Sequence, residues 1–225
     1  MKRTICLFFI LVVALTSNVA LGDDEDGQRV PAGAVAFHFV ARISFFAPPT
    51  PPVLVGYMAF IEGVPGPFFD ASGGMPPSEA TAFFTLRATF GPAAPIPLNP
   101  GSNVAVTVIP PGATFDVFFD ETPNQNWANP ASFSDGELIA SFEESGFMST
   151  SVGEPFGPGV SYNLFSSDLI SSKRFSFNGQ KIDFKKLIRN GVTTNNFGSS
   201  TPVSFDPFTL AFTGSAVAIG GNKDD

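Results

Sequence analysis

Cysteine is nearly missing from this chain, and so are tryptophan, tyrosine and histidine: 225 residues hold 1 Cys, 1 Trp, 2 Tyr and 1 His. The single Cys6 lies in an N-terminal apolar run expected to be removed. The remaining chain then has no thiol nucleophile, no disulfide and no thiolate metal ligand. With His38 as the one imidazole, a multi-His metal site is excluded too, and no metal or cofactor is expected. Basic charge is short, with 12 Lys and Arg against 20 Asp and Glu and a formal net charge of −8. Nucleic acid is therefore an improbable partner, because displacing its counterions needs a basic surface. An anionic membrane surface is disfavoured for the same reason. There is no GxSxG elbow, P-loop, HExxH or Gly-rich dinucleotide turn, and no long helical period. A non-enzymatic protein is the expectation that follows.

What is present begins with a targeting pattern. Lys2 and Arg3 precede an apolar run over residues 5–15, and Ala20-Leu21-Gly22 supplies small residues where a signal peptidase reads. This is the three-part layout of a secretory signal over residues 1–22. The run is shorter than the about 20 residues a membrane helix needs, so no membrane span is expected after cleavage. Residues 23–33, opening with Asp23-Asp24-Glu25-Asp26, read as a flexible acidic leader. Residues 34–220 read as a single all-β domain, and residues 221–225 as a polar tail. The chain has no Asn-X-Ser/Thr acceptor for glycosylation and no disulfide after cleavage. Together these features point to a secreted or periplasmic protein, and to a bacterial one.

The aromatic content is lopsided, with 27 Phe. Phe carries no polar handle, so it suits a dry core or an apolar cavity. The 22 Gly and 21 Pro fit many short strands joined by tight turns. Residues 80–90 set the pattern. Ala82, Phe84, Leu86, Ala88 and Phe90 fall on one face of an extended chain, and Thr81, Phe83, Thr85, Arg87 and Thr89 on the other. Similar alternation predicts strands over residues 34–46, 53–62, 103–109, 113–119, 136–143 and 208–219, with weaker patterns over 147–152 and 160–170. Over residues 136–143, Leu138, Ala140 and Phe142 share the predicted inner face. Asn178-Gly179 predicts a two-residue type I′ hairpin that pairs Phe177 with Gln180, Ser176 with Lys181 and Phe175 with Ile182. Residues 185–189 suit a single helical turn, and residues 190–202 read as loop. About ten strands and no internal repeat predict an antiparallel β-sandwich, with a closed β-barrel as the alternative.

Two constellations stand out as candidate ligand sites. His38 and Arg42 lie four residues apart on the polar face of the first strand, so both point the same way and suit an anionic group, with Arg87 as a third charge. Trp127 sits among Asn124, Asn126 and Asn129, where amides can hydrogen-bond sugar hydroxyls while the indole stacks on a sugar face; an amide-rich turn with Trp127 folded onto the core is the competing reading. Asp116, Asp120 and Glu121 gather carboxylates, but their spacing matches no calcium loop. A glycosidase pair drawn from Glu62, Asp70, Glu79, Glu137 and Glu143 would need a separation that sequence does not supply.

Three functional classes follow. The first is an exported non-enzymatic β-domain with a binding or structural role at or outside the cell envelope, its partner a small molecule or a glycan. The second is a β-barrel whose apolar cavity serves a hydrophobic ligand, as a carrier or as an isomerase or cyclase. The third is a small outer-membrane barrel, for which the strand lengths are adequate and the Tyr and Trp girdles are missing.

Overall fold

The computed structural model describes residues 29–47, 49–90, 96–101, 104–152, 159–199 and 201–220. The expected signal at 1–22, most of the leader and the tail at 221–225 lie outside the described residues. The strands follow in order as β1 (Val35–Phe45), β2 (Val53–Ile61), β3 (Phe84–Thr89), β4 (Ile96–Gly101), β5 (Val104–Ile109), β6 (Thr114–Phe119) and β7 (Glu137–Val152). They continue with β8 (Val160–Ser172), β9 (Phe175–Phe177), β10 (Gln180–Ile182), β11 (Val192–Ser199), β12 (Ser204–Phe205) and β13 (Phe208–Ala218). One helical turn, α1 (Phe184–Leu187), stands between β10 and β11.

Antiparallel pairing runs β7-β6-β3-β2-β1-β13-β11-β8, and β8 pairs back onto β7, closing 8 strands into a barrel. The all-β class is as the sequence implies. Of its two architectures, the favoured sandwich gives way to the alternative, the closed barrel. The reason lies in β7. Where the sequence suggests two strands around Ser145-Gly146, the chain runs through as one strand of 16 residues. Its first half pairs with β6 and its second half with β5, while β8 follows it on the other flank almost throughout. Bulges at Ile139, against β6, and at Ser145, against β8, bend it, and bulges supply the curvature that closure requires. The β4–β5 hairpin extends the sheet beyond the ring, beside one end of the barrel.

A second correction concerns residues 190–202. They contain β11, which lies between β8 and β13 and completes the wall. A third concerns the start of β7. A bulge on β7 at Ile139, opposite the step from Val117 to Phe118, leaves Leu138 43% exposed and buries Ile139 completely. The face that Ala140 and Phe142 share is retained, both being buried.

One end of the barrel is stoppered. β9 and β10 form the expected hairpin in the expected register, with Asn178 at φ 48° and Gly179 at φ 77°, the left-handed pair of a type I′ turn. Asn178 Nδ2 donates to the carbonyls of Pro65 and Gly66, both at 3.0 Å, which pins the turn to the loop after β2. Phe175, Phe177 and Ile182 of the hairpin and Phe184 and Leu187 of α1 are all buried. Their rings meet the barrel at Phe84, whose centroid lies 4.9 Å from Phe177 and 5.4 Å from Phe119. Asp183 caps α1, accepting from the Lys185 amide at 3.0 Å and from Ser172 Oγ at 2.6 Å. The last leader residues dock here as well: Val30 is buried and its amide donates to the Leu187 carbonyl at 3.0 Å.

Candidate functional site

The stopper leaves the opposite end of the barrel as the way in. There the interior holds a cavity of about 410 Å³, within the range of small-molecule sites. Its mouth is ringed by Ile43 and Phe45 of β1, Pro52 before β2, Phe90 after β3 and Leu210 of β13. Phe37, Phe39, Leu54, Leu86, Phe115 and Phe212 continue from it as one apolar wall. These are the inward positions of strands whose apolar alternation is plain in the sequence. Phe37 is 6.4 Å from Phe115, and Phe115 stacks on Phe142 with centroids 4.4 Å apart and planes 7° from parallel. Offset stacking of this kind holds the rings in place.

The facing wall is mostly polar, with Phe165 of β8 the one ring among its lining residues. Ser149 and Ser151 of β7, Ser161 and Asn163 of β8, and Thr194 and Asn196 of β11 line it. The pairing explains how they meet: Ser149 stands opposite Asn163 and Asn163 opposite Asn196, while Ser151 stands opposite Ser161. Directly opposed residues share a face of the sheet, so each row points inward together. Asn163 Nδ2 donates to Asn196 Oδ1 at 2.6 Å. Thr194 Oγ1 is buried and has no hydrogen-bond partner among the described residues. Ser167 Oγ, in the row just below, is likewise buried and unpartnered.

Glu144 belongs to this wall. It sits where β6 gives way to β5 as the neighbour of β7, with its amide donating to the Ala113 carbonyl at 2.8 Å. Its side chain lines the cavity and is only 8% exposed. No hydrogen bond or ion pair satisfies that carboxyl among the described residues. Burial raises its pKa from the ordinary carboxylate value to about 7, because the charged form loses water that nothing replaces. Ser167 stands opposite it on β8. The neighbouring carboxylates Glu143 and Asp168 face each other on the outer, exposed side.

Sequence reasoning passed over Glu144 and considered Glu143 instead. A signal was there: the inner-face series Ala140 and Phe142 continues to 144, so a carboxylate falls on a face otherwise filled with apolar groups.

The residues singled out from sequence lie on the outside. His38 is exposed; its Nδ1 shares a hydrogen bond of 2.7 Å with Ser215 Oγ, and its ring lies 5.7 Å from that of Phe60. Arg42 lies on the same outer face, and its guanidinium carbon stands 4.3 Å from the centre of the Trp127 ring. Two of the singled-out residues are thus brought together, as a cation over an indole. Trp127 is half-buried, 4.8 Å from Phe133 and 6.1 Å from Tyr57. Burial raises the Tyr57 pKa, with the charge of Glu79 adding to the rise and that of Arg42 opposing it. Arg87 turns elsewhere and donates to Ser134 Oγ at 3.2 Å.

The amides around Trp127 mostly shape its turn. Asn126 Oδ1 accepts from the Ala128 amide at 2.9 Å, and Asn124 Nδ2 donates to Asp135 Oδ2 at 3.2 Å. Asn129 contributes through its backbone, its carbonyl accepting from Ser132 Oγ at 2.7 Å. Asp120 holds the start of the same loop, accepting from the Thr122 amide at 2.8 Å and from Gln125 Nε2 at 2.9 Å. A groove on this outer face runs past Arg42, Trp127, Val203 and Thr209.

Fold and site together define a closed antiparallel barrel with a stopper at one end and a two-sided cavity at the other. No protein-family model, curated protein or solved structure matches this chain.

Proposed function

We propose that this protein is an exported barrel that binds a small, largely apolar molecule in its interior, as a carrier or as an isomerase or cyclase. The observation that carries the reading is the cavity itself. A barrel with this many Phe has the means to fill its interior, yet the rings leave a space of about 410 Å³ and stand mostly on one side of it. Ligand sites commonly pair apolar walls with a few convergent polar groups, as here. Export rests on the basic start, apolar run and small-residue site of residues 1–22.

The isomerase or cyclase form of the reading is favoured by one feature, Glu144. A carboxyl held near neutral pKa in a water-poor site is suited to accept and return a proton. The outer-membrane form has less support. His38, Arg42, Arg87 and Asp116 lie on the outer faces of β1, β3 and β6, where a membrane barrel carries a continuous apolar band.

The test is native mass spectrometry of the mature protein purified without detergent, followed by organic extraction of any bound mass. An added mass released into the organic phase is the expected result. A bare mass, together with failure to take up any apolar probe, would remove the cavity reading. If an extracted molecule returns chemically changed after incubation with fresh protein, the enzyme form is the correct one.

A further inference from the structure

The cavity is chemically divided, and the division specifies what kind of molecule fits. One wall offers only rings and aliphatic groups. The other offers the Glu144 carboxyl, 8% exposed, and the Thr194 hydroxyl, which is buried with no hydrogen-bond partner among the described residues. Buried polar groups are nearly always satisfied, so unpartnered ones that face a cavity mark where a ligand's own polar atoms belong. A carboxylate only accepts hydrogen bonds, and a threonine hydroxyl both donates and accepts.

Resting on the cavity reading above, we infer that the ligand is an amphiphile whose head group donates hydrogen bonds, an amine or an alcohol, with that head on Glu144 and Thr194 and its apolar body against Phe37, Phe39 and Phe115. A carboxylate head is disfavoured. It would meet an acceptor of the same charge in a site with little water, where like charges repel strongly. The acidic character of the whole chain, with a net charge of −8, works in the same direction.

Decylamine, decanol and decanoate share one apolar body and differ in the head. Each is titrated calorimetrically into the detergent-free protein at pH 8, below the concentration at which it forms micelles. The amine and the alcohol are expected to bind about tenfold or more tighter than the acid, the scale of one charge-assisted hydrogen bond in a buried site. Glu144→Gln keeps an acceptor and removes the charge. It is expected to weaken the amine about tenfold and to leave the alcohol within about threefold. Thr194→Val, close in shape, is expected to weaken the alcohol several-fold while the protein keeps its near-ultraviolet dichroism.

Equal affinity for all three heads would overturn the head-group inference and leave the cavity reading standing. Unchanged amine affinity in Glu144→Gln would do the same. Binding of none of the three by the unaltered protein would overturn both.

Discussion

The two walls of the barrel interior come from the same kind of ladder and do different work. The wall built from β1, β2, β3 and β6 presents Phe37, Phe39, Leu86 and Phe115, and it passes directly into the packed core at Phe84 and the stopper. The wall built from the second half of β7, from β8 and from β11 presents Ser, Thr, Asn and Glu144. Both are antiparallel hydrogen-bonded ladders interrupted by bulges, so pairing does not distinguish them. What differs is where the side chains find their partners. On the first wall they find one another, and burial of apolar surface stabilises the fold. On the second, Asn163 and Asn196 satisfy each other, while Thr194 Oγ1 has no hydrogen-bond partner among the described residues. One wall contributes stability; under the binding reading proposed above, the other would set selectivity at some expense of stability.

Breaking the apolar side should have the largest effect. Phe84 is fully buried and its ring contacts Phe68, Phe119, Phe175 and Phe177. Phe84→Ala is expected to cost about 3–5 kcal/mol in urea unfolding. A loss below about 1 kcal/mol would mean that the stopper does not depend on this cluster.

The polar side should respond in the opposite sense. The Glu144 carboxyl ionises near pH 7 in the folded chain and near 4.5 in the unfolded one. Between those values the unfolded state gives up its proton first, so stability falls as pH rises through this window and then levels off. Glu144→Gln should abolish that fall and leave the variant about 3 kcal/mol more stable than the parent at pH 8. Urea midpoints at pH 5 and pH 8 read both quantities. Parallel shifts in the two proteins would place the titration elsewhere.

A third test addresses the seam. Gly214 stands between Phe39 and Asn196 in register. A Cβ there would come within 2.6 Å of the Phe39 ring tip and of the Asn196 Cβ. Gly214→Ala should therefore press the two walls apart, costing about 2 kcal/mol and weakening any cavity ligand. Thermal unfolding and a displacement titration report the two effects separately.

The smallest effect is expected when the polar wall is made apolar as a pair. Asn196→Leu alone strands the Asn163 amide and should cost about 1–3 kcal/mol. Adding Asn163→Leu removes both partners and should bring stability back to within about 1 kcal/mol of the parent. A double variant no more stable than the single one would show that the amide pair supports the ladder and not only itself.

The same division governs how much could be read in advance. β1, β2, β3 and β6 follow a two-residue apolar period because their inner residues meet a core. Residues 190–202 read as loop in the sequence, yet they hold β11. Its inner residues include Thr194 and Asn196, which face the cavity, so the alternation that marks a strand is missing from its sequence. The strand over 160–172 gave only a weak pattern for the same reason, with Ser161, Asn163 and Ser167 inward. The apolar part of the site was legible as a surplus of Phe. Its polar part was not, because Ser, Thr and Asn in a short run are as typical of a turn as of a cavity wall.

Local chemistry was enough to determine the all-β class, the extents of β1, β2, β6 and β13 and the Asn178-Gly179 hairpin with its register; the strand read over residues 80–90 begins only at Phe84, because residues 79–81 form a helical turn. Each depends on neighbours within a few residues, through side-chain alternation or the backbone freedom of a turn. Closure of the barrel, the placing of β11 between β8 and β13, and the gathering of Glu144, Thr194 and Phe37 around one cavity were decided only by the tertiary structure. They depend on which strands lie side by side, and non-local pairing is set by the packing of the whole chain and not by any segment of it.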